Sequence, residues 1–175
     1  LRPWHGVDTL PPLLAELLLR HPDLRLVIAG DGPAREGLER EFAARGLSRA
    51  VVFTGWLAHE EIGGLIRHFD VALAPYREPT HAFYFSPLKL FEYMACGVPV
   101  VAAAVGQIAE VLQHGRTGLL CAPGNGPELV GACHRLLTDA ALRRRLGAAA
   151  ALEVHGRYTW DHNVARVTAL ARSLG

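Results

Sequence analysis

Short, uniformly apolar runs alternate along this chain with longer segments of helical period, and no other feature constrains the fold so tightly. Residues 24–29 (LRLVIA), 51–54 (VVFT), 71–74 (VALA), 98–103 (VPVVAA) and 118–121 (GLLC) are the short runs. Runs of this length, apolar on both faces, suit strands of a sheet covered on both sides. Between them, residues 7–20, 34–45, 59–68, 86–96 and 107–112 carry helical spacing, with Leu10, Leu13, Leu14, Leu17 and Leu18 on one stripe. Gly46 is a plausible C-cap, and Glu60 and Glu61 stand in a first turn, where negative charge suits the helix dipole. Strands separated by helices call for a parallel sheet flanked by helices. The predicted fold class is therefore α/β, a Rossmann-like doubly wound parallel sheet with helices on both faces. From about Pro127 the chain reads as three more helices, parted at Asp139 and around residues 156–158.

The 175 residues suit one domain with a continuous core. A doubly wound sheet usually opens on a strand, whereas here a turn and a helix come first. The expected organisation is a single domain over residues 1–175 that lacks its first strand. A formal net charge of +1 argues against a protein built to coat nucleic acid. No apolar run reaches the roughly 18 residues of a membrane span, and no signal peptide is expected, so a soluble, cytoplasmic domain is predicted. Cys96, Cys121 and Cys133 are odd in number and widely spaced, which fits small buried thiols in a reducing compartment better than a disulfide framework or a zinc site. The nine histidines include no H-E-x-x-H pair, there is no Asp-x-Asp pair, and no metal is expected.

In doubly wound folds ligands bind beyond the carboxyl ends of the strands. That directs attention to residues 30–33, 55–57, 75–86 and 104–106. Within the third of these a loop leads into a predicted helix, with Ser86 as N-cap and Pro87 as the first helical residue. The first N–H groups of such a helix are free and its dipole favours an anion. Lys89, the one lysine among 18 basic residues, falls in the first turn, and Glu92 follows three residues on. Two readings fit. The pair binds a sugar nucleotide, the cation meeting diphosphate and the carboxylate meeting ribose hydroxyls; or it is a solvated i,i+3 pair worth about 0.2–0.5 kcal/mol.

Residues 92–102, EYMACGVPVVA, match the pattern E-x-M-A-x-G-x-P-V-V-A. Residues 1–8 (LRPWHGVD) are similar to a first-loop motif, residues 26–33 (LVIAGDGP) to a strand followed by G-x-G-P, and residues 52–57 (VFTGWL) to F-x-G-x-x. Residues 106–111 and 115–120 follow in the expected order. Taken together these resemble the C-terminal donor-binding domain of the retaining GT-B glycosyltransferases, glycosyltransferase family 4 (group 1), over essentially the whole chain.

The resemblance implies a hexosyltransferase-type enzyme, bacterial and metal-independent, with no cofactor beyond its nucleotide-sugar donor, UDP- or GDP-linked. It implies that Glu92 binds the ribose hydroxyls. Ser86, the Leu88 and Lys89 N–H groups and the Lys89 ammonium would hold the diphosphate, with His5 standing where a phosphate-binding lysine is common. Arg2 is a candidate to supply a further positive charge. Trp56 borders the nucleobase, either stacking on it or packing on its own helix. The family motif has a first glutamate at the position of Tyr84, which is a departure at the residue that contacts the transferred sugar. No catalytic residue is assigned. Asp31 is read as a turn residue and Glu110 as structural. Arg143, Arg144 and Arg145 form either a solvated face or a contact for anionic lipid at the inner face of the membrane. The implied partners are the nucleotide-sugar and an N-terminal acceptor-binding domain of the same polypeptide; nucleic acid is not among them. The isolated domain is expected to bind nucleotide without turnover. Alternatives are a non-catalytic nucleotide-sugar-binding module or a generic dinucleotide-binding Rossmann domain.

Overall fold

The computed structural model describes residues 1–77 and 86–174. Two 3₁₀ turns, Pro3–His5 and Val7–Thr9, lead into α1 (Leu10–Leu18). There follow β1 (Leu26–Ala29), α2 (Arg35–Ala44), β2 (Val51–Gly55), α3 (His59–Ile66), β3 (Ala72–Ala74) and α4 (Leu88–Ala95). The chain continues through β4 (Val100–Ala103), α5 (Gly106–Val111), β5 (Leu119–Cys121), α6 (Gly126–Thr138), α7 (Ala140–Arg157) and α8 (Trp160–Leu174). Every predicted strand and helix is present. The predicted helix over residues 7–20 is shorter than its periodicity suggests, because Pro11 and Pro12 occupy the first turn of α1, where a missing N–H costs no hydrogen bond.

All strand pairs are parallel, but they form two sheets, β1–β2 and β3–β4–β5. The sequence predicts one sheet; among the described residues β1 and β3 are not paired. Strand periodicity divides the core into two layers. On β4, Val101 points into the cluster containing α1, α2 and α6, whereas Val100 and Ala102 point into the cluster containing α3, α4 and α5. Helix α7 serves both layers, giving Leu142 and Leu146 to the first and Ala150 and Val154 to the second.

Helix α6 is capped by the Asn125 carboxamide, which accepts from the Glu128 N–H at 3.1 Å, and α7 by Asp139, which accepts from the Leu142 N–H at 2.8 Å. None of the described residues of α8 is buried, and Trp160, Val164, Val167 and Leu170 form an uncovered apolar stripe along it.

Helix α4 reaches its place through a backbone contact with α7. A Cβ added to Gly147 would collide with the Gly97 carbonyl, so only hydrogen fits there. Gly156, in the last turns of the same helix, has open space around it. Gly147→Ala is expected to cost about 1–3 kcal/mol through overpacking. Gly156→Ala is expected to gain about 0.5–1 kcal/mol from helix propensity. Urea unfolding of the two variants, read by circular dichroism, checks both signs at once.

Candidate functional site

The turn over residues 1–6 crosses the carboxyl ends of β1 and β3. The N-terminal amine donates to the Asp31 carbonyl just beyond β1, and Gly6 abuts the Pro75 carbonyl just beyond β3. Gly6 takes φ 70°, a left-handed conformation in which a side chain is strained, and the contact with Pro75 leaves no room for one. This packing brings His5 down onto Tyr76, with ring centroids 5.7 Å apart in an edge-to-face arrangement.

Helix α4 approaches Tyr76 as well. The Lys89 Nζ lies 4.8 Å from the centroid of the Tyr76 ring, within cation–π range. Tyr76 is only 2% exposed and acts as the shared platform for a cation and an imidazole. Both groups are partly stripped of water. Burial, then the Lys89 charge, the N-terminal amine and Arg2, hold His5 down at about 4, so the ring is neutral at physiological pH. Burial lowers Lys89 to about 8, and the Glu92 carboxylate opposes that shift. Lys89 is thus a desolvated ammonium whose compensating anion would be worth more than at the surface.

His5, Gly30, Leu57, Lys89, Glu92 and Tyr93 line one cavity of about 640 Å³. Burial, helped by the nearby Glu92 charge, pushes the Tyr93 phenol up to about 12. Lys89 and Glu92 form no direct ion pair with each other, although the Glu92 charge still acts on Lys89.

Other expected residues sit differently. Ser86 does not cap α4. Pro87 takes φ −79° and ψ 80° and occupies the cap position without a side-chain hydrogen bond, so the helix starts at Leu88, one residue late. The Leu88 N–H donates to the Ser86 carbonyl at 3.0 Å and is engaged within the turn, and the Leu88 side chain is exposed. Trp56 is 79% exposed at the end of β2, which excludes packing on its own helix. Arg2 is drawn toward Trp4, its Cζ 5.5 Å from the indole centroid. Tyr84 lies outside the described residues.

Asp31 behaves as a turn residue, accepting from the Gly32 N–H at 2.6 Å and from the Arg35 guanidinium at 2.8 Å. Glu110 is exposed on α5. The arginine cluster is partly committed to the fold: Arg143 donates to the Leu136 and Leu137 carbonyls and pairs with Asp70, and Arg145 donates to the Gly115 carbonyl. The three thiols are free, Cys121 and Cys133 buried and raised to about 11 and 12 by desolvation. Among the described residues no helix is long and apolar enough to cross a membrane. Among the same residues no group of three or more His, Cys, Asp or Glu side chains is placed to hold a metal ion.

Tyr76 was not singled out by sequence. Its signal is weak, an aromatic directly after the Pro75 that ends a strand, and its role appears only when residues 1–6 and α4 converge on it. Gln107, in the first turn of α5, was not singled out either; its Oε1 is buried without a hydrogen-bond partner.

The chain matches the family model described as Glycosyl transferases group 1 over residues 1–139. It is 33% identical over 170 residues to the alpha-D-kanosaminyltransferase of Streptomyces kanamyceticus, covering 97% of this chain and 43% of that protein. It is 35% identical over 172 residues to the D-inositol 3-phosphate glycosyltransferase of Stackebrandtia nassauensis, covering 93% and 37%. The chain therefore spans less than half the length of these relatives. Among solved structures it superposes on Anabaena HepE in complex with UDP, with a TM-score of 0.85 at 26% identity, covering 98% of this chain and 46% of that one.

The titration of Lys89 has a defined effect on stability. A free lysine ionises near 10.5 and Lys89 near 8, so between those values the folded chain holds fewer protons than the unfolded one. Stability therefore rises with pH from about 8, and the cost of the buried charge is fully present below that. From about pH 9 the buried Cys121 and Cys133 thiols, raised to about 11 and 12, oppose and then reverse the trend, and above pH 10 the Tyr76 and Tyr93 phenols, both held at about 12, add to the fall, because the unfolded chain loses those protons first. The urea midpoint is expected to rise between about pH 8 and 9 and then fall. Lys89→Met is expected to abolish the rise and keep the fall.

Proposed function

The chain belongs to the glycosyl transferases group 1 family, and from that premise we propose that it is the donor-binding domain of a GT-B enzyme that moves a sugar from a nucleotide-sugar to an acceptor. The observation that carries this is the meeting of the Lys89 ammonium, the His5 ring and the Glu92 carboxylate on one cavity at the strand ends. Family membership leaves the generic dinucleotide-binding alternative without support.

In this assignment Lys89 receives the diphosphate. Its partial desolvation strengthens the attraction and concentrates it on the charge that develops as the sugar–phosphate bond breaks. A bound diphosphate would raise the pKa of Lys89 and of neutral His5, drawing a proton to the imidazole from solvent. Glu92, one turn deeper on α4, accepts hydrogen bonds from the ribose hydroxyls. Trp56 offers an open indole face to the base. The Lys89 N–H at the start of α4 adds a donor to the phosphate, whereas that of Leu88 is taken by the turn.

UDP is the first nucleotide to consider, since HepE, which is similar in fold, is described in complex with it. Transfer is retaining: the acceptor oxygen bonds the anomeric carbon on the face from which the diphosphate departs. The cationic role falls to Lys89, so the reaction is metal-independent. The acceptor site belongs to an N-terminal domain of the same polypeptide, as the greater length of the relatives supports. The domain works in the cytoplasm, and by itself it binds nucleotide without turnover. With Arg143 and Arg145 tied to backbone carbonyls, a lipid contact at the inner membrane face falls mainly to Arg144.

Tyr84, at the position of the first motif glutamate, favours a second reading in which the module binds nucleotide-sugar without transfer. In the longer polypeptide, sugar transfer by the unaltered protein supports the enzyme. Transfer that appears only in Tyr84→Glu supports the non-catalytic module.

Calorimetric titration of the chain with UDP, GDP, ADP and dTDP tests the donor site. One nucleotide is expected to bind selectively. Glu92→Ala is expected to cost about 1–3 kcal/mol of affinity through lost hydroxyl hydrogen bonds, and Trp56→Ala about 1–3 kcal/mol through lost stacking. Equal binding of all four nucleotides, unchanged by either substitution, would remove the assignment of these residues.

A further inference from the structure

Arg35 opens α2 close to the carboxyl ends of β1 and β2, and its guanidinium is held by two carboxylates and an aromatic ring. Its Nε–H donates to the Glu39 carboxylate at 2.7 Å and its Nη1–H to the Asp31 carboxylate at 2.8 Å. The Cζ lies 5.8 Å from the centroid of the Phe53 ring, within cation–π range. Asp31 is itself fixed, because the Gly32 N–H donates to it at 2.6 Å. A guanidinium presents its N–H donors in a rigid planar fork. The Nη2 end of this fork has no hydrogen-bond partner among the described residues, and the side chain is partly exposed.

This guanidinium borders the strand-end cavity. Gly30 and Leu57 belong to the cavity wall, and the Gly30 N–H donates to the Gly55 carbonyl at 2.9 Å. A Cβ on Gly55 would stand 3.4 Å from the Arg35 Nη1. Gly55 takes φ 70°, a conformation that favours glycine, so no side chain comes between Arg35 and the residues that follow β2. The exposed indole of Trp56 is the next residue. An aromatic plane and a planar set of donors thus flank the same glycine. The charge here is unlike that at Lys89. Two carboxylates more than offset one guanidinium, so a phosphate would meet net repulsion. A guanidinium neutralised in this way still donates hydrogen bonds, and an uncharged carbonyl is a suitable acceptor. Uracil and thymine carry such an oxygen at O4 and guanine at O6, where cytosine and adenine carry an amino group, itself a donor.

We propose that Arg35 selects the base of the donor nucleotide: its guanidinium, oriented by Asp31 and Glu39, donates to the O4 of uracil or thymine, or the O6 of guanine, beside Trp56, and disfavours cytosine and adenine. The inference rests on the donor-site reading above and adds to it the class of base. An amino group set against the fixed N–H edge leaves donors unpaired on both sides, and a site built to hydrogen-bond one group rejects the analogue that lacks it. The pairing with Asp31 and Glu39 holds the fork in place before the nucleotide arrives, so little side-chain freedom is lost on binding. Arg35 is a specificity-determining residue and takes no part in the transfer itself.

Calorimetric titration of the longer polypeptide with two pairs of nucleotides, UDP with CDP and GDP with ADP, tests this. In whichever pair binds, the nucleotide with the carbonyl is expected to bind about 10-fold tighter than its amino counterpart. Arg35→Met keeps an apolar stem and removes every donor. It is expected to weaken the carbonyl-bearing nucleotide by about 10-fold and leave the amino one unchanged, so that the preference disappears. Arg35→Lys keeps the charge without the fork and is expected to lose most of the preference. Asp31 and Glu39 remain largely solvated when unpaired, so an unchanged urea midpoint is expected for both variants. Equal binding within each pair by the unaltered protein overturns the proposal, whether or not a variant folds; if Glu92→Ala still weakens both nucleotides, the donor-site reading survives that result. An equal loss of both nucleotides in Arg35→Met overturns it too, since Arg35 then only braces its turn. Full preference in Arg35→Lys overturns it in favour of a point charge. Binding of none of the four overturns this inference and the donor-site reading together.

Discussion

Everything in this domain depends on the complete burial of β4. A parallel strand with Val100, Val101 and Ala102 fully out of solvent has no polar face, so helices must cover both sides and every polar function is pushed to the strand ends. Helix α7 meets this demand by crossing from one core layer to the other, and it does so at the contact of Gly147 with Gly97, two residues after α4. That contact fixes α4 over the sheet, with Leu90 and Met94 fully buried beneath it. The position of Lys89 and Glu92 is thus a consequence of core packing, set before any ligand is considered.

The electrostatics at the strand ends follow from the same packing. Tyr76 is buried because residues 1–6 fold back over it, and burial of its ring gives Lys89 a π-face where a carboxylate or water would otherwise serve. The result is an ammonium lowered to about 8 beside an imidazole lowered to about 4. The Lys89 charge depresses the charged state of His5, burial lowers both, and both would be relieved by the same anion. Two groups that are under-solvated together and improved together form a receptor for a multivalent anion more naturally than for a single carboxylate. The diphosphate proposed for the site is an anion of that kind.

The α/β class and every strand and helix were legible because buried parallel strands are apolar at each position, as residues 98–103 are, and the helices between them keep their stripes. The fine structure was not legible where two local preferences compete. Ser86 followed by Pro87 reads as a cap and a first helical residue, yet ψ of 80° at Pro87 moves the start of α4 to Leu88. Trp56 offered two readings, and its exposure removes the one in which it packs on its own helix. Lys89 and Glu92 stood out by their spacing and by the rarity of lysine, but their environment depends on Tyr76 and His5, which are far away in sequence. A triplet of arginines looks alike in sequence, whereas Arg143 turns back to the end of α6 and Arg145 to the Gly115 loop. Tertiary partners of this kind leave no periodic trace.

The described strands divide the candidate site between two bodies of backbone. Trp56 hangs from β2 and Gly30 follows β1, whereas Tyr76 follows β3 and Lys89 and Glu92 lie on α4. No ladder of hydrogen bonds joins the two groups among the described residues. They are held in register by helix packing in the α1–α6 layer and by the turn over residues 1–6, with its hold on the Asp31 carbonyl at one end and the Pro75 carbonyl at the other. A small ligand touching one half would be indifferent to that arrangement. A nucleotide that places its base at Trp56 and its phosphates at Lys89 spans both halves, so its affinity includes the free energy of keeping them in register. In the proposed donor site the stiffness of the packing between the β1–β2 and β3–β4–β5 sheets therefore contributes to affinity, although no residue of that seam needs to touch the donor.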